Sequence, residues 1–278
     1  MAENSGKSSA AEWQAIVDRV WPDVRRRHLF PELPKPVVSE EDGVSSVDMT
    51  EKQITLSLET SELLARHVPK EVVVSALLDH ATAHHTVCPW DFDSYLKLYG
   101  SLKPIVRDGD TIKRILDYFT DVVSDTHAVR ESASQLPEVY RHLDGGDGFD
   151  VIRALYQRIW GEPLGAEGDA DTDQAVSRLE RIPYLDRSKW LESVRSFASV
   201  MQPYVIGEMS SDGDDSDGGM LGPHGPGQYS QEEIEKGLSA FAEQGYHAFR
   251  AMVEDFRIEI EDAGAMPEKG IGHGRGVP

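Results

Sequence analysis

Among the 278 residues of this chain are ten histidines and one cysteine, and one stretch gathers an unusual share of them. It runs Glu71-Val-Val-Val-Ser-Ala-Leu-Leu-Asp79-His80-Ala81-Thr-Ala-His84-His85-Thr-Val-Cys88. On a helix, where each residue turns by about 100°, His80 and His84 lie one turn apart and about 40° from each other, so both imidazoles can face one point. Two neutral histidines converging in this way form the grip of a divalent ion of the zinc class. They also prolong the apolar stripe of Val73, Ala76 and Leu77, which sets them at an inner, partly desolvated place where histidine stays neutral and can ligate. The same spacing occurs on helices that bind nothing, where the rings only pack.

Cys88 follows His80 by two turns and His84 by one, near the same face where the helix reaches that far, which makes it an additional candidate ligand. As a thiolate beside His84 or His85 it would instead be a nucleophile, with Asp91 or Asp125 orienting the ring. No oxyanion-hole or glycine-rich signature accompanies it, and a buried cysteine at a helix-ending turn, with Trp90 and Phe92 beneath, is the simpler account. Further along, Asp117, Asp121 and Asp125 make an i, i+4, i+8 row flanking the apolar arc of Ile115, Phe119, Val122 and Val129. Such a row is either a solvated face or a source of ligands. Asp169, Asp171, Asp173 and Glu180 have calcium-loop spacing, but Gln174 stands where that loop needs glycine, so Asp171 to Asp173 are expected to be helix caps. The sequence holds no P-loop, dinucleotide fingerprint or G-x-S-x-G motif.

The chemistry sits in a strongly acidic chain. Asp and Glu number 49 against 28 Lys and Arg, a net charge of −21, which repels phosphate backbones and argues against nucleic-acid binding. Only 10 of the basic residues are lysine, and the carboxylate-rich composition resembles that of proteins from salt-loving archaea. A single cysteine excludes an internal disulfide and a four-cysteine zinc site, and fits a reducing compartment. No run approaches the roughly 18 apolar residues of a membrane span, and residues 1–12 lack the apolar core of a signal peptide. A cytoplasmic protein is expected.

The elements that must position these residues are mostly helical. Residues 1–11 are polar and expected to be disordered. Trp13, Ile16, Val17, Val20 and Trp21 mark a first helix to about His28, with Pro22 placed to kink or end it. Pro31, Pro34 and Pro36 force an extended connection. Val44 to Met49 and Ile54 to Leu58 read as short strands, the second with Ile54, Leu56 and Leu58 on one face. Thr60 or Ser61 is expected to cap a short helix, Pro69 opens the histidine helix from Lys70 to about Thr86, and Pro89 stops it. Asp110 or Thr111 is expected to cap a helix from Ile112 to about Ala133, with others at 150–160, 174–181 and 188–201. Residues 207–228, rich in glycine, proline and aspartate, read as a linker or lid. Residues 229–264 form an amphipathic helix that docks on the domain of 12–206, with Ile234, Leu238, Phe241, Tyr246, Phe249, Val253 and Phe256 near one stripe, and 265–278 make a flexible tail.

In this arrangement a strand at Ile54 to Leu58 precedes a helix carrying two histidines at the H-x-x-x-H spacing, and the chain thereby resembles the zincin metallopeptidases, whose edge strand precedes a helix bearing H-E-x-x-H. Thr120-Asp121-Val-Val-Ser124-Asp125 is similar to the E-x-x-[SA]-D segment that supplies the third ligand in the glutamate-ligand branch of that group. The resemblance spans residues 50–130. It implies an α+β fold, predominantly helical, with a small N-terminal sheet packed on a zincin-like active-site helix. It also implies a zinc ion held by His80, His84 and Asp121, with Asp125 orienting a ligating imidazole. Asp121 is one methylene shorter than the usual glutamate. At Ala81 the family places the glutamate that takes the proton from metal-bound water, and a methyl group cannot do so. His85, about 40° from position 81 and one turn on, is the candidate replacement base.

The expectation is therefore a zincin-like metal-binding protein, either a hydrolase of peptide or other amide bonds or a relative disabled at Ala81. The alternative is a non-enzymatic interaction protein with structural histidines, using 229–264 to bind a protein partner.

Overall fold

The computed structural model describes residues 9–40, 45–143, 145–166, 168–210 and 229–242. Helix α1, Ala10–Arg27, starts where the Ser9 hydroxyl accepts from the Glu12 amide. It continues through Pro22 to within a residue of the expected end at His28, so that proline does not end the helix. Proline costs a helix interior about 3 kcal/mol. Trp13, Ile16, Val17, Trp21 and Val24 are all buried along α1, and each such side chain contributes about 1.5–3 kcal/mol, so the burial wins.

Three short strands follow, β1 Val37–Ser39, β2 Ser46–Val47 and β3 Ile54–Ser57, in the order β1-β3-β2. β1 runs parallel to β3, with Val38 opposite Leu56, and β2 runs antiparallel, with Val47 opposite Ile54. Ile54 and Leu56 are fully buried, as their alternation predicts. The strand ends a residue early because Ser57 turns its hydroxyl to the Thr60 amide and caps α2, Leu58–Leu64. The cap is thus Ser57, in place of the expected Thr60 or Ser61.

Helix α3, Lys70–Thr86, is the centre of the molecule. It packs against α1, the sheet and α2, and every residue from Val73 to His84 is buried. A helix buried on all sides needs no polar stripe. Pro89 follows after a cis Cys88–Pro89 bond, and α4, Phe92–Leu102, is capped by Asp91. Helix α5, Gly109–Ser132, packs along α3. Its cap is Asp108, which accepts from the Thr111 amide and hydroxyl, and not Asp110 or Thr111.

The remaining helices are α6 Leu136–Tyr140, which the sequence did not signal, α7 Asp147–Trp160, α8 Ala170–Leu179, α9 Trp190–Ser210 and α10 Gln231–Ala242. Asp169 caps α8, leaving Asp171 and Asp173 inside its first turn, while Asp173 and Glu180 pair with Arg158; the expected caps move accordingly. Helix α9 runs on to Ser210, so residues 207–210 of the expected linker are helical, and the rest of that segment, 211–228, lies outside the described residues. Ser230 and Glu233 form a reciprocal capping box that also engages Thr50. Ile234 and Leu238 on α10 are buried, and α10 packs against α4. Residues 243–278, with the expected remainder of the amphipathic helix and the tail, lie outside the described residues, as do residues 1–8. The fold is predominantly helical α+β. No helix among the described residues is long and apolar enough to cross a membrane.

Candidate metal centre

The pairing of α3 with α5 decides where the two histidines point. His80 and His84 are both wholly buried, with ring centroids 4.6 Å apart and planes inclined at 74°. Their Nε2 atoms face each other at 3.2 Å. From α5, Asp121 brings its Oδ1 to 3.2 Å from His84 Nε2 and 3.9 Å from His80 Nε2. Two members of the carboxylate row therefore turn inward, Asp121 at 5% exposure and Asp125 fully buried, while Asp117 is half-buried.

The hydrogen bonds fix which ring nitrogens carry protons. His84 Nδ1 lies 2.8 Å from the Cys88 carbonyl oxygen; a carbonyl only accepts, so Nδ1 is the donor. His80 Nδ1 lies 2.6 Å from Asp125 Oδ1, and the Tyr140 and Tyr156 hydroxyls donate to Asp125 Oδ2 at 2.6 and 3.0 Å. With both Nδ1 atoms engaged as donors, each neutral ring aims an Nε2 lone pair at the other and at the Asp121 carboxylate. Two lone pairs and an anion so close in a dry interior repel unless a cation lies among them. Burial alone would depress the His80 imidazole, but the Asp125 carboxylate, through charge and hydrogen bond, and Asp121, through charge, hold its pKa above the ordinary histidine value. The place calls for positive charge, as a proton or as a metal ion.

The geometry fits an ion. The three candidate ligand atoms lie within 4.8 Å of one another, and this group could hold a metal ion. Tetrahedral zinc with ligands at about 2.0–2.1 Å separates them by about 3.3 Å. The two 3.2 Å separations match, and the third, 3.9 Å, is about 0.6 Å longer than that spacing.

Other residues singled out from the sequence lie elsewhere. The Cys88 sulphur is outside the converging group; what Cys88 brings is its carbonyl oxygen, which also accepts from Ser124 Oγ at 2.7 Å. Burial, with Asp121 adding to it against Arg187, pushes the thiol far above the thiolate range, which leaves the nucleophile role without support. His85 faces away, toward the β2–β3 turn: burial and the Lys52 charge, opposed by Asp48, push its pKa down to about 4. Ala81 is fully buried. Two features of the neighbourhood carry no spacing signal in the sequence. One is the tyrosine pair behind Asp125. The other is the buried Asp79 carboxylate, which accepts from Arg27 at 2.9 Å and contacts His28 Nε2 at 3.1 Å, tying α1 to α3.

Comparison with protein-family models, with curated proteins and with solved structures gives no match. Any functional conclusion therefore stands on the residues themselves.

Proposed function

We propose that this protein binds one divalent ion of the zinc class at His80, His84 and Asp121, in a zincin-like setting from which peptidase activity has been lost. The observation that carries this is the convergence of the two Nε2 lone pairs on Asp121 while both Nδ1 atoms are held by acceptors, the outer arrangement that metal-bound histidines characteristically have. A shared proton would bond His84 Nε2 to His80 Nε2 at 3.2 Å; the Asp121 carboxylate, 3.2 Å from the same nitrogen, adds the anionic third member that a metal site of this class uses. Such an ion, when bound, polarises a carbonyl and acidifies a bound water. The chain's own residues supply little for hydrolysis around it. Position 81 offers a methyl group, His85 looks the other way, and of the three ligands Asp121 alone has exposed surface, 5%, so a polypeptide has no open path to the centre.

Metal analysis of purified protein reconstituted with zinc tests the reading. The wild type is expected to hold about one equivalent, and His84→Ala and Asp121→Asn to lose it. Chelation should lower the melting temperature of the wild type alone, since an ion at about 1,000 times its Kd contributes about 4 kcal/mol. Peptide hydrolysis should stay at background in the wild type. Ala81→Glu places a carboxylate at a fully buried position and is expected to cost about 1–3 kcal/mol in stability without creating activity. A wild type that takes up no ion, and whose melting ignores chelator, would end the proposal.

A further inference from the structure

The two most exposed large apolar side chains among the described residues are neighbours in the chain, Leu29 at 88% and Phe30 at 62%. They follow α1 with φ of 60° and 58°, the left-handed region that large L side chains rarely enter and that clusters at functional places. The turn is held from both sides. The Leu29 and Phe30 amides donate to the carbonyls of Arg26 and Arg25, and Arg25 Nη2 donates to the Pro31 carbonyl at 3.2 Å. A fixed backbone thus presents two large apolar groups to water, as the anchor of an interface must be presented. Among the described residues no other Phe, Tyr or Trp is exposed.

Beside this knob the C-terminal ends of α1, α3 and α5 meet around a cavity of about 510 Å³. Leu29, Val87 and Leu185 give it apolar wall, and Phe30 lies outside its lining. The polar lining is engaged inside the fold: Arg27 donates to Asp79 and Ser75, His28 contacts Asp79, and the hydroxyls of Thr86 and Ser132 donate to the carbonyls of Thr82 and Arg27. A ring seated there takes no hydrogen bond from these groups, so it avoids the cost of stranding them. Arg27, with its side chain 27% exposed, has no partner for Nη1 among the described residues, and a guanidinium with spare surface favours the face of an aromatic ring. The cavity therefore suits an aromatic occupant, and an unused aromatic ring stands at its rim.

We propose that this face is an interface between two copies of the chain, in which Phe30 of each copy enters the cavity of the other and meets Arg27, while Leu29 packs on Val87 and Leu185. Knob and cavity on one patch are self-complementary about a two-fold axis, the condition for a closed dimer. Charge agrees with this occupant. Arg25 and Glu131 make no ion pair among the described residues, which gives the rim opposite charges to pair across the axis. The three arginines in the last turn of α1 also lower, at this patch, the repulsion between two chains of net charge −21. The proposal does not depend on the metal centre.

Sedimentation equilibrium of the full chain at micromolar concentrations tests it, in about 1 M KCl, where a Debye length of about 3 Å screens the general repulsion. The wild type should show a monomer–dimer equilibrium. Phe30→Ala should weaken it about thirtyfold or more, Leu185→Arg should weaken it comparably, and Ile206→Asp, at an exposed position on α9, should leave it unchanged. Mixing Phe30→Ala with Leu185→Arg should raise association above that of either alone, because one intact ring then meets one intact cavity. Circular dichroism confirms folding of each variant. A monomeric wild type, association that ignores Phe30→Ala or is lost in Ile206→Asp, or no gain on mixing each overturns the proposal. A monomer whose melting temperature falls with Phe30→Ala overturns it too, and gives the ring to a segment of its own chain.

Discussion

At Asp125 one buried carboxylate meets three donors, His80 Nδ1 and the hydroxyls of Tyr140 and Tyr156. The tyrosines fix the carboxylate that orients one candidate ligand. Removing such a support characteristically costs 10–100-fold in metal affinity, so Tyr140→Phe and Tyr156→Phe should each weaken the proposed ion about tenfold, read by competition with a coloured chelator. Affinity unchanged in both variants would show that the hydroxyls serve packing only. His85 gives a second prediction at this scale. Its pKa is pushed down to about 4 in the folded chain against about 6.5 unfolded. The unfolded chain then binds the extra proton first, so the contribution is complete above about pH 6.5 and falls away toward pH 4. The loss is at most about 3.4 kcal/mol, and chemical denaturation across that range should show it in the wild type and a flatter profile in His85→Phe.

At the scale of elements, α10 lies on α4 at close range: a Cβ built at Gly237 meets Phe92 Cδ1 at 2.7 Å and Leu96 Cδ1 at 2.8 Å. Gly237→Val should lift α10 and expose Tyr229, now buried against Phe92. Faster proteolysis at that end, with zinc uptake unaltered, is the expected result, and wild-type protease resistance would contradict it. The strongly periodic or proline-bounded elements were legible in advance, α3 between Pro69 and Pro89 above all. Caps were harder, because capping residues come in clusters: Ser57, Thr60 and Ser61 compete in one place, Asp108, Asp110 and Thr111 in another, and backbone geometry chooses. Helix α6, with five residues, is too short for a period. The candidate site was legible where two residues share a helix, as His80 and His84 do. Whether Asp121 and Asp125 face water or the core was undecided until α5 had a neighbour. The tyrosines could not be foreseen, since they come from α6 and α7 and meet Asp125 only in three dimensions.

For the whole molecule, a net charge of −21 means self-repulsion that the compact state must overcome. Salt screens it, so the melting temperature should climb as KCl is raised from about 0.1 to 1 M, over which the Debye length shrinks from about 10 to 3 Å. A melting point that falls with KCl would point to attractive ion pairs as the stronger influence. The all-round burial of α3 carries a different consequence. Under the metal reading, the ion lies behind a closed seam, with His80 and His84 wholly buried and Asp121 5% exposed among the described residues. Loading and loss then wait on the parting of α3 from α5, an opening of the core far rarer than loop motion. Uptake of zinc and its loss to a chelator are then paced by that opening and go to completion slowly but in full, whatever occupied the place when the chain first condensed.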